Sequence, residues 1–161
     1  MTGPSRSLIR PLVYRKFPEL VNVDPMANIK ISIRQTGVST SKALLRDHRV
    51  LIDRPTAKGG NDLGPMGGEL FLASVGGCFM SNLLAAAKAR EAEISGIETI
   101  ATGTLTEAPV RFASVELEVT AVCSDGELLA KLVEIAERGC IMVNTLRGGV
   151  DLTVKVNSGA A

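Results

Sequence analysis

From Leu70 to Ala87 the chain carries 18 residues without a charge, and everything else in the fold must accommodate them. The run approaches the roughly 20 residues that a spanning helix needs. It also contains Ser74, Gly76, Gly77, Ser81 and Asn82, and strand-like soluble sequence flanks it. A fully buried central helix, apolar all round, fits this pattern, with no membrane partner. Gly67, Gly68 and Glu69 lead into it, and it runs to about Arg90. Gly76 and Gly77 in mid-helix cost roughly 1 kcal/mol each relative to alanine. They predict that another helix or a second subunit approaches that turn closely.

The flanking segments supply strands. Ile29, Ile31 and Ile33 alternate with Lys30, Ser32 and Arg34, and Val50–Asp53 reads as a second strand beyond a turn or mobile loop at Gly37–Ser41. Arg54–Pro65 is rich in Gly and Pro, a long structured loop. After the helix, Ile97–Glu107 is strand-like. Val115, Leu117, Val119 and Ala121 then alternate with Glu116, Glu118 and Thr120, a strand with one wet face. Ser124 as N-cap and Glu127 at N3 fit a capping box. The helix that follows carries Leu128, Leu132, Ile135 and Ala136 on one stripe and ends near Gly139. Leu152, Val154 and Val156 alternate with Asp151, Thr153 and Lys155 in a closing strand. The order β-β-α-β-β-α-β predicts an α+β fold with helices packed on one face of an antiparallel sheet.

With 161 residues, 45% of them apolar, the chain is about one domain's worth, the usual range being roughly 100–200. Residues 28–161 are read as that domain. Residues 1–27 hold Pro4, Pro11, Pro18 and Pro25, which forbid a long helix. They lack the continuous apolar stretch of a secretory signal, so an extended arm, or an upstream extension before Met26, is expected. A net charge of +1 gives no basic field for nucleic acid or anionic lipid. Aromatics at 3% argue against base-stacking platforms. His48 is the single histidine. It leaves no multi-histidine metal site and is read as a surface residue beside Arg46, Asp47 and Arg49. No metal or cofactor is expected.

Three cysteines remain, Cys78, Cys123 and Cys140. Without CxxC spacing they form neither a secreted disulfide framework nor a zinc knuckle. Two readings stand: buried thiols in a reducing cytoplasm, or a redox pair with a bystander. Cys78 lies in Val75-Gly-Gly-Cys-Phe-Met80 and Cys140 follows Arg138-Gly139. If the helices pack together, the two sulfurs meet once their Cα atoms come within roughly 4.4–6.8 Å. Cys123 is taken as the bystander.

The run Asp53-x-Pro55…Gly59-Gly60-Asn-Asp-x-Gly64-Pro65, then Glu69-Leu-Phe-Leu-Ala-Ser-Val-Gly-Gly-Cys78, resembles the OsmC/Ohr family, osmotically induced protein C and organic hydroperoxide resistance protein. Ala136-Glu-Arg-Gly-Cys140 followed by Leu146 is similar to the family's second motif. The resemblance covers roughly residues 28–157 in the family's order. It implies an intertwined α+β homodimer with sites at the subunit interface, reducing organic hydroperoxides. Cys78 matches the peroxidatic cysteine and Cys140 the resolving one. A dihydrolipoyl-type dithiol would then restore the reduced pair.

A thiol of pKa about 8.5 needs a cation or a helix N-terminus to ionise usefully. Cys78 lies well inside its own helix, so a cation is expected. The family uses an arginine held by a glutamate, and that arginine also stabilises the leaving alkoxide. Arg34, Arg46 and Arg54 are the candidates, and Arg54, before the Gly-rich loop, is the choice. At the family's glutamate position stands Gly68. Glu69 comes one residue later, roughly 100° around a helix, as either a substitute or a charge favoured at a helix start. Gly67 and Ile141 replace two of the family's prolines. Phe71, Phe79, Met80 and Met66 would suit an apolar hydroperoxide pocket or plain core. The departure at Gly68 keeps a second reading open, a non-enzymatic protein of this fold binding a small apolar ligand at the dimer interface. A third is a redox sensor whose disulfide changes binding to a protein partner.

Overall fold

The computed structural model describes residues 28–150 and 152–155. The expected N-terminal arm, Asp151 and Val156 lie outside them. The chain divides into two compact units, the first up to Gly64 and the second from Pro65.

The first unit is a three-stranded antiparallel sheet in the order β1-β2-β3, with β1 at Ser32–Gln35, β2 at Ser41–Leu45 and β3 at His48–Ile52. The central strand, β2, falls partly in the segment read as a turn or mobile loop. The turn is confined to Gly37–Ser39. Ser41-Lys-Ala-Leu-Leu45 does not alternate, and the strand is identified by its partners on either edge rather than by a wet face. The isoleucine alternation overreaches in the other direction. Ser32 pairs with Leu44, so the ladder stops one residue short of Ile31, and Ile29 falls opposite the turn after β2 with no strand to join.

Asp53 leaves β3 and organises the Gly-rich loop, which includes a short 3-10 turn at Thr56–Lys58. Its carboxylate accepts from the N–H of Arg54 at 2.8 Å, Asn61 at 3.2 Å and Leu63 at 3.3 Å, and from Thr40 Oγ1 at 3.2 Å. Two glycines let the loop lie directly on its own backbone. A Cβ on Gly60 would stand 1.9 Å from the Arg54 carbonyl oxygen, and one on Gly64 2.3 Å from that of Leu51. Burial opposes charge on Asp53. Hydrogen bonds from Ser39 and from the Arg54, Leu63 and Asn61 amides outweigh it and hold the carboxyl at about 2. The native pKa is below the unfolded value of about 3.9. Its stabilisation is therefore present above pH 4 and lost as pH falls toward 2. Acid titration of stability is expected to show this loss in the wild type and not in Asp53→Asn. Parallel curves for the two proteins would overturn the assignment.

The second unit holds α1 at Gly67–Ala89, β4 at Ile94–Leu105, β5 at Phe112–Cys123, α2 at Gly126–Gly139 and α3 at Ile141–Gly148. Strands β4 and β5 form an antiparallel hairpin. Val115, Leu117 and Val119 are half-buried while Glu116, Glu118 and Thr120 are exposed, as the alternation predicts. The expected single sheet is thus two sheets, one in each unit. Helix α2 is capped by Asp125, one residue later than predicted. The Asp125 carboxylate accepts from the N–H groups of Glu127 at 2.9 Å and Leu128 at 3.0 Å. A carboxylate makes both bonds at the helix start, where its charge is also favoured. The core joins Phe79, Leu83, Ala86 and Ala87 of α1 to Leu132 and Ala136 of α2 and to Cys140.

Three features depart from the sequence pattern. Helix α1 buries Val75, Phe79, Leu83, Ala86 and Ala87, but Ala73, Ser74, Gly77, Ser81, Leu84 and Ala85 are exposed. It is therefore not buried all round. Among the described residues it is the helix long and apolar enough to cross a membrane by length and composition. Of its paired glycines, Gly76 faces Ala101 of β4, where a Cβ would make ordinary contact at 3.6 Å, while Gly77 faces open space. The closing strand is also missing: Leu152–Lys155 has no regular structure, and Leu152 and Val154 are 88% and 80% exposed. Alternation alone does not make a strand without a neighbour to pair with.

Candidate functional site

Cys78 projects half-buried from the middle of α1, on the same helix as the buried Val75 and Phe79. Cys140 occupies the corner between α2 and α3 and is fully buried. It ends one helix and starts the next with extended dihedrals, φ −80° and ψ 114°. Its N–H donates to the Glu137 carbonyl at 3.3 Å, and its carbonyl accepts from the Asn144 N–H at 3.0 Å. Its Sγ accepts from the Val143 N–H at 3.5 Å, taking the place a serine or aspartate oxygen usually fills.

The structure packs Cys78 against the cluster that holds Cys140, both thiols are free, and each is close enough to act on the other's ionisation. Burial works against a charge on Cys78. The Met142 N–H, the Cys140 thiol and the Ile141 N–H outweigh it, and Cys78 lies below the ordinary thiol range. Burial and the neighbouring Cys78 push Cys140 up, although the Val143 and Met142 N–H groups act in the opposite sense. Of the two thiols, Cys78 is therefore the one that ionises first, and Cys140 keeps its proton longer.

Sequence reasoning asked for a cation because Cys78 is far from the start of its own helix. The structure answers with the start of another. The first N–H groups of an α-helix have no partner within it, and those of α3 face the Cys78 sulfur. Such a position lowers a thiol's pKa. Helix α3 escaped notice because Ile141-Met-Val-Asn-Thr-Leu-Arg-Gly148 is short and its cap is a cysteine. The signal was Ile141 itself: where the family has a proline with no N–H, this chain has a donor.

Glu69 is at the third position of α1, where its carboxylate accepts from the Met66 N–H at 2.6 Å. Nine residues separate it from Cys78, about 13 Å along the axis and about half a turn around, so it acts here as a cap. Arg34, Arg46 and Arg54 all belong to the first unit and are exposed. Arg54 has its main chain fixed by Asp53, and Arg46 sits in the β2–β3 turn with φ 56°. His48 is exposed at the start of β3. Cys123 donates its thiol to the Asp125 carbonyl at 2.9 Å and accepts the Asp125 N–H at 3.3 Å, a turn staple ahead of α2.

The aromatic and methionine side chains divide. Phe79 is core, Phe71 stacks on Phe112 with centroids 5.0 Å apart, and Met66 is the α1 N-cap residue. Phe79 also lines a cleft of about 220 Å³ with Val75, Leu117, Val119, Val133 and Val143. The exposed Arg147–Glu137 pair, 3.5 Å apart, stands at its edge.

No curated protein matches the sequence. Among solved structures, the chain is similar to an OsmC-like protein from Mycoplasma pneumoniae. The TM-score is 0.68 at 16% identity, over 76% of this chain and 89% of that one. An organic hydroperoxide resistance protein from Elizabethkingia anophelis gives 0.61 at 22% identity, over 76% and 89%. The organic hydroperoxide resistance protein OhrB of Bacillus subtilis gives 0.56 at 26% identity, over 78% and 95%. The pattern of the OsmC-like proteins matches residues 59–155, a stretch that holds α1, the hairpin and both cysteines of the dithiol, and the chain belongs to that family.

Proposed function

We propose that the protein is a thiol-dependent peroxidase that reduces organic hydroperoxides. The observation that carries this reading is the pair of free, neighbouring thiols, with Cys78 held below the ordinary thiol range by the first N–H groups of α3. The Cys78 thiolate attacks the O–O bond of ROOH. A sulfur–oxygen bond forms and the O–O bond breaks. The leaving alkoxide takes up a proton as ROH, and Cys78 becomes a sulfenic acid. The Cys140 sulfur, losing its proton, attacks Cys78, and hydroxide leaves with that proton as water. An external dithiol, dihydrolipoyl-type in this reading, returns both thiols by exchange and is itself oxidised. Arg54 is assigned to the leaving oxygen. Glu69 enters as a helix cap rather than as the partner of an arginine.

The reading includes a homodimer in the reducing cytoplasm. The exposed side of α1 and the exposed Ile29, Ile31, Leu152 and Val154 support a second copy of the chain as the cover. A non-enzymatic protein holding a small apolar ligand is the second reading, favoured by the cleft beside Phe79. One experiment separates the two. A single equivalent of tert-butyl hydroperoxide is added to reduced protein sedimenting at twice 16.9 kDa. Loss of the peroxide with a stoichiometric Cys78–Cys140 disulfide, mapped by mass spectrometry, is expected. Slow oxidation scattered over the three cysteines would reject the peroxidase.

A further inference from the structure

Asn82 lies one turn beyond Cys78 on α1, and an asparagine is a poor choice in a helix interior, roughly 0.7 kcal/mol worse than alanine. Its position explains its presence. Nδ2 donates to the Cys78 carbonyl at 2.9 Å. Oδ1 points the other way, into the corner that carries Cys140: a Cβ built on Gly139 would stand 2.7 Å from it. The side chain is half-buried and touches the backbones that bear both thiols. We propose that Asn82 is the positioning residue of the dithiol, a spacer between α1 and the α2–α3 corner that sets the distance from Cys78 to Cys140.

The proposal rests on the dithiol reading and adds what controls it. A disulfide forms only when its Cα atoms fall in a window of about 2.4 Å, 4.4 to 6.8 Å. Two sulfurs on separate helices need something to hold the helices at that separation. Packing alone permits small slides along α1. An amide bonded to Cys78 and seated against a residue with no side chain removes that freedom. Gly139 is the second half of the device, because any side chain there would occupy the place of Oδ1. Correct orientation of two reacting groups contributes to the effective concentration with which they react.

The test uses the equilibrium of the Cys78–Cys140 disulfide with glutathione, in the full-length chain carrying Cys123→Ser. Asn82→Ala and Gly139→Ala are each expected to lower the equilibrium constant at least tenfold, about 30 mV for two electrons. The double variant is expected to be no worse than the lower single variant, because each change disrupts the same contact. The melting temperature of Asn82→Ala is expected to hold or rise, since alanine favours the helix. A purely structural role would instead lower the melting temperature and leave the potential in place. Asn82→Asp, of the same shape but without the donor, is expected to lose at least tenfold as well, and it remains informative if Gly139→Ala fails to fold. A constant within twofold of wild type for Asn82→Ala or Asn82→Asp overturns the proposal, as do fully additive effects in the double variant. The equilibration involves no hydroperoxide. A protein that behaves as expected here yet consumes no peroxide would sink the proposed activity and leave the role of Asn82 standing.

Discussion

Replacing Cys78 with serine is expected to reduce hydroperoxide consumption by at least about a thousandfold, the scale on which removing a nucleophile acts. The α3 amides and the Cys140 thiol act on the sulfur of Cys78, whose ionisation they favour. A hydroxyl in its place is not a thiolate and has no comparable reactivity toward an O–O bond. Cys140→Ser gives a different result. It keeps a hydrogen-bond donor beside Cys78 and a capping oxygen for α3, so the first equivalent of peroxide is expected to be consumed at close to the wild-type rate. Turnover is then expected to stop at the sulfenic acid, which a dimedone adduct on Cys78 would reveal by mass. Wild-type turnover in Cys78→Ser would remove the sulfur from the mechanism altogether. Multiple turnovers in Cys140→Ser would show that another thiol resolves the intermediate. Absorbance at 240 nm checks the electrostatics: the Cys78 thiolate is expected to titrate below the ordinary thiol midpoint of about 8.5.

The second large effect concerns stability. Leu83 is fully buried, at 0% accessibility, in the cluster that joins α1, α2 and Cys140. Leu83→Ala removes apolar contact and leaves a cavity, together about 3 kcal/mol within a measured range of 2–5. Against a typical stability of about 5–15 kcal/mol that is a large share. The melting temperature is expected to fall by roughly 6–12 °C, at about 2–4 °C per kcal/mol. A fall of under 2 °C would show that the cluster is not the stabilising core of the second unit. The same cavity lies under the Cys140 corner, so the alkylation rate of Cys140 is expected to rise along with the loss of stability.

The sequence made the two helices legible wherever one face met a core. The Leu128, Leu132 and Ala136 stripe of α2 needed no further information, and the long uncharged run located α1, whose end at Ala89 is within a residue of the expected Arg90 and whose start at Gly67 comes three residues before the run. It misled where an element depends on something beyond itself. Ser41–Leu45 becomes a strand because β1 and β3 flank it, a fact no local pattern contains. Leu152–Lys155 has the alternation and lacks the neighbour. At the site, the cysteines were legible as a pair only through the resemblance, because nothing local to Val75–Met80 or Arg138–Cys140 says that the two turns meet. The groups that favour ionisation of Cys78 were missed for a related reason. The amides of Ile141 and Met142 are ordinary backbone, and their chemistry comes from where a short, sulfur-capped helix happens to begin. Asn82 left a faint trace, an amide in an otherwise apolar helix, which only the geometry turns into a role.

The loop after β3 has its outline set from the inside. One carboxylate and two absent methyl groups dictate the path, while the outward side chains of Thr56 and Ala57 contribute nothing to it. Those positions are free to drift in sequence while the shape persists. A fluorophore attached through a cysteine at position 57 would travel with the loop without remodelling it, and so would report on the surroundings of Arg54 as the protein works.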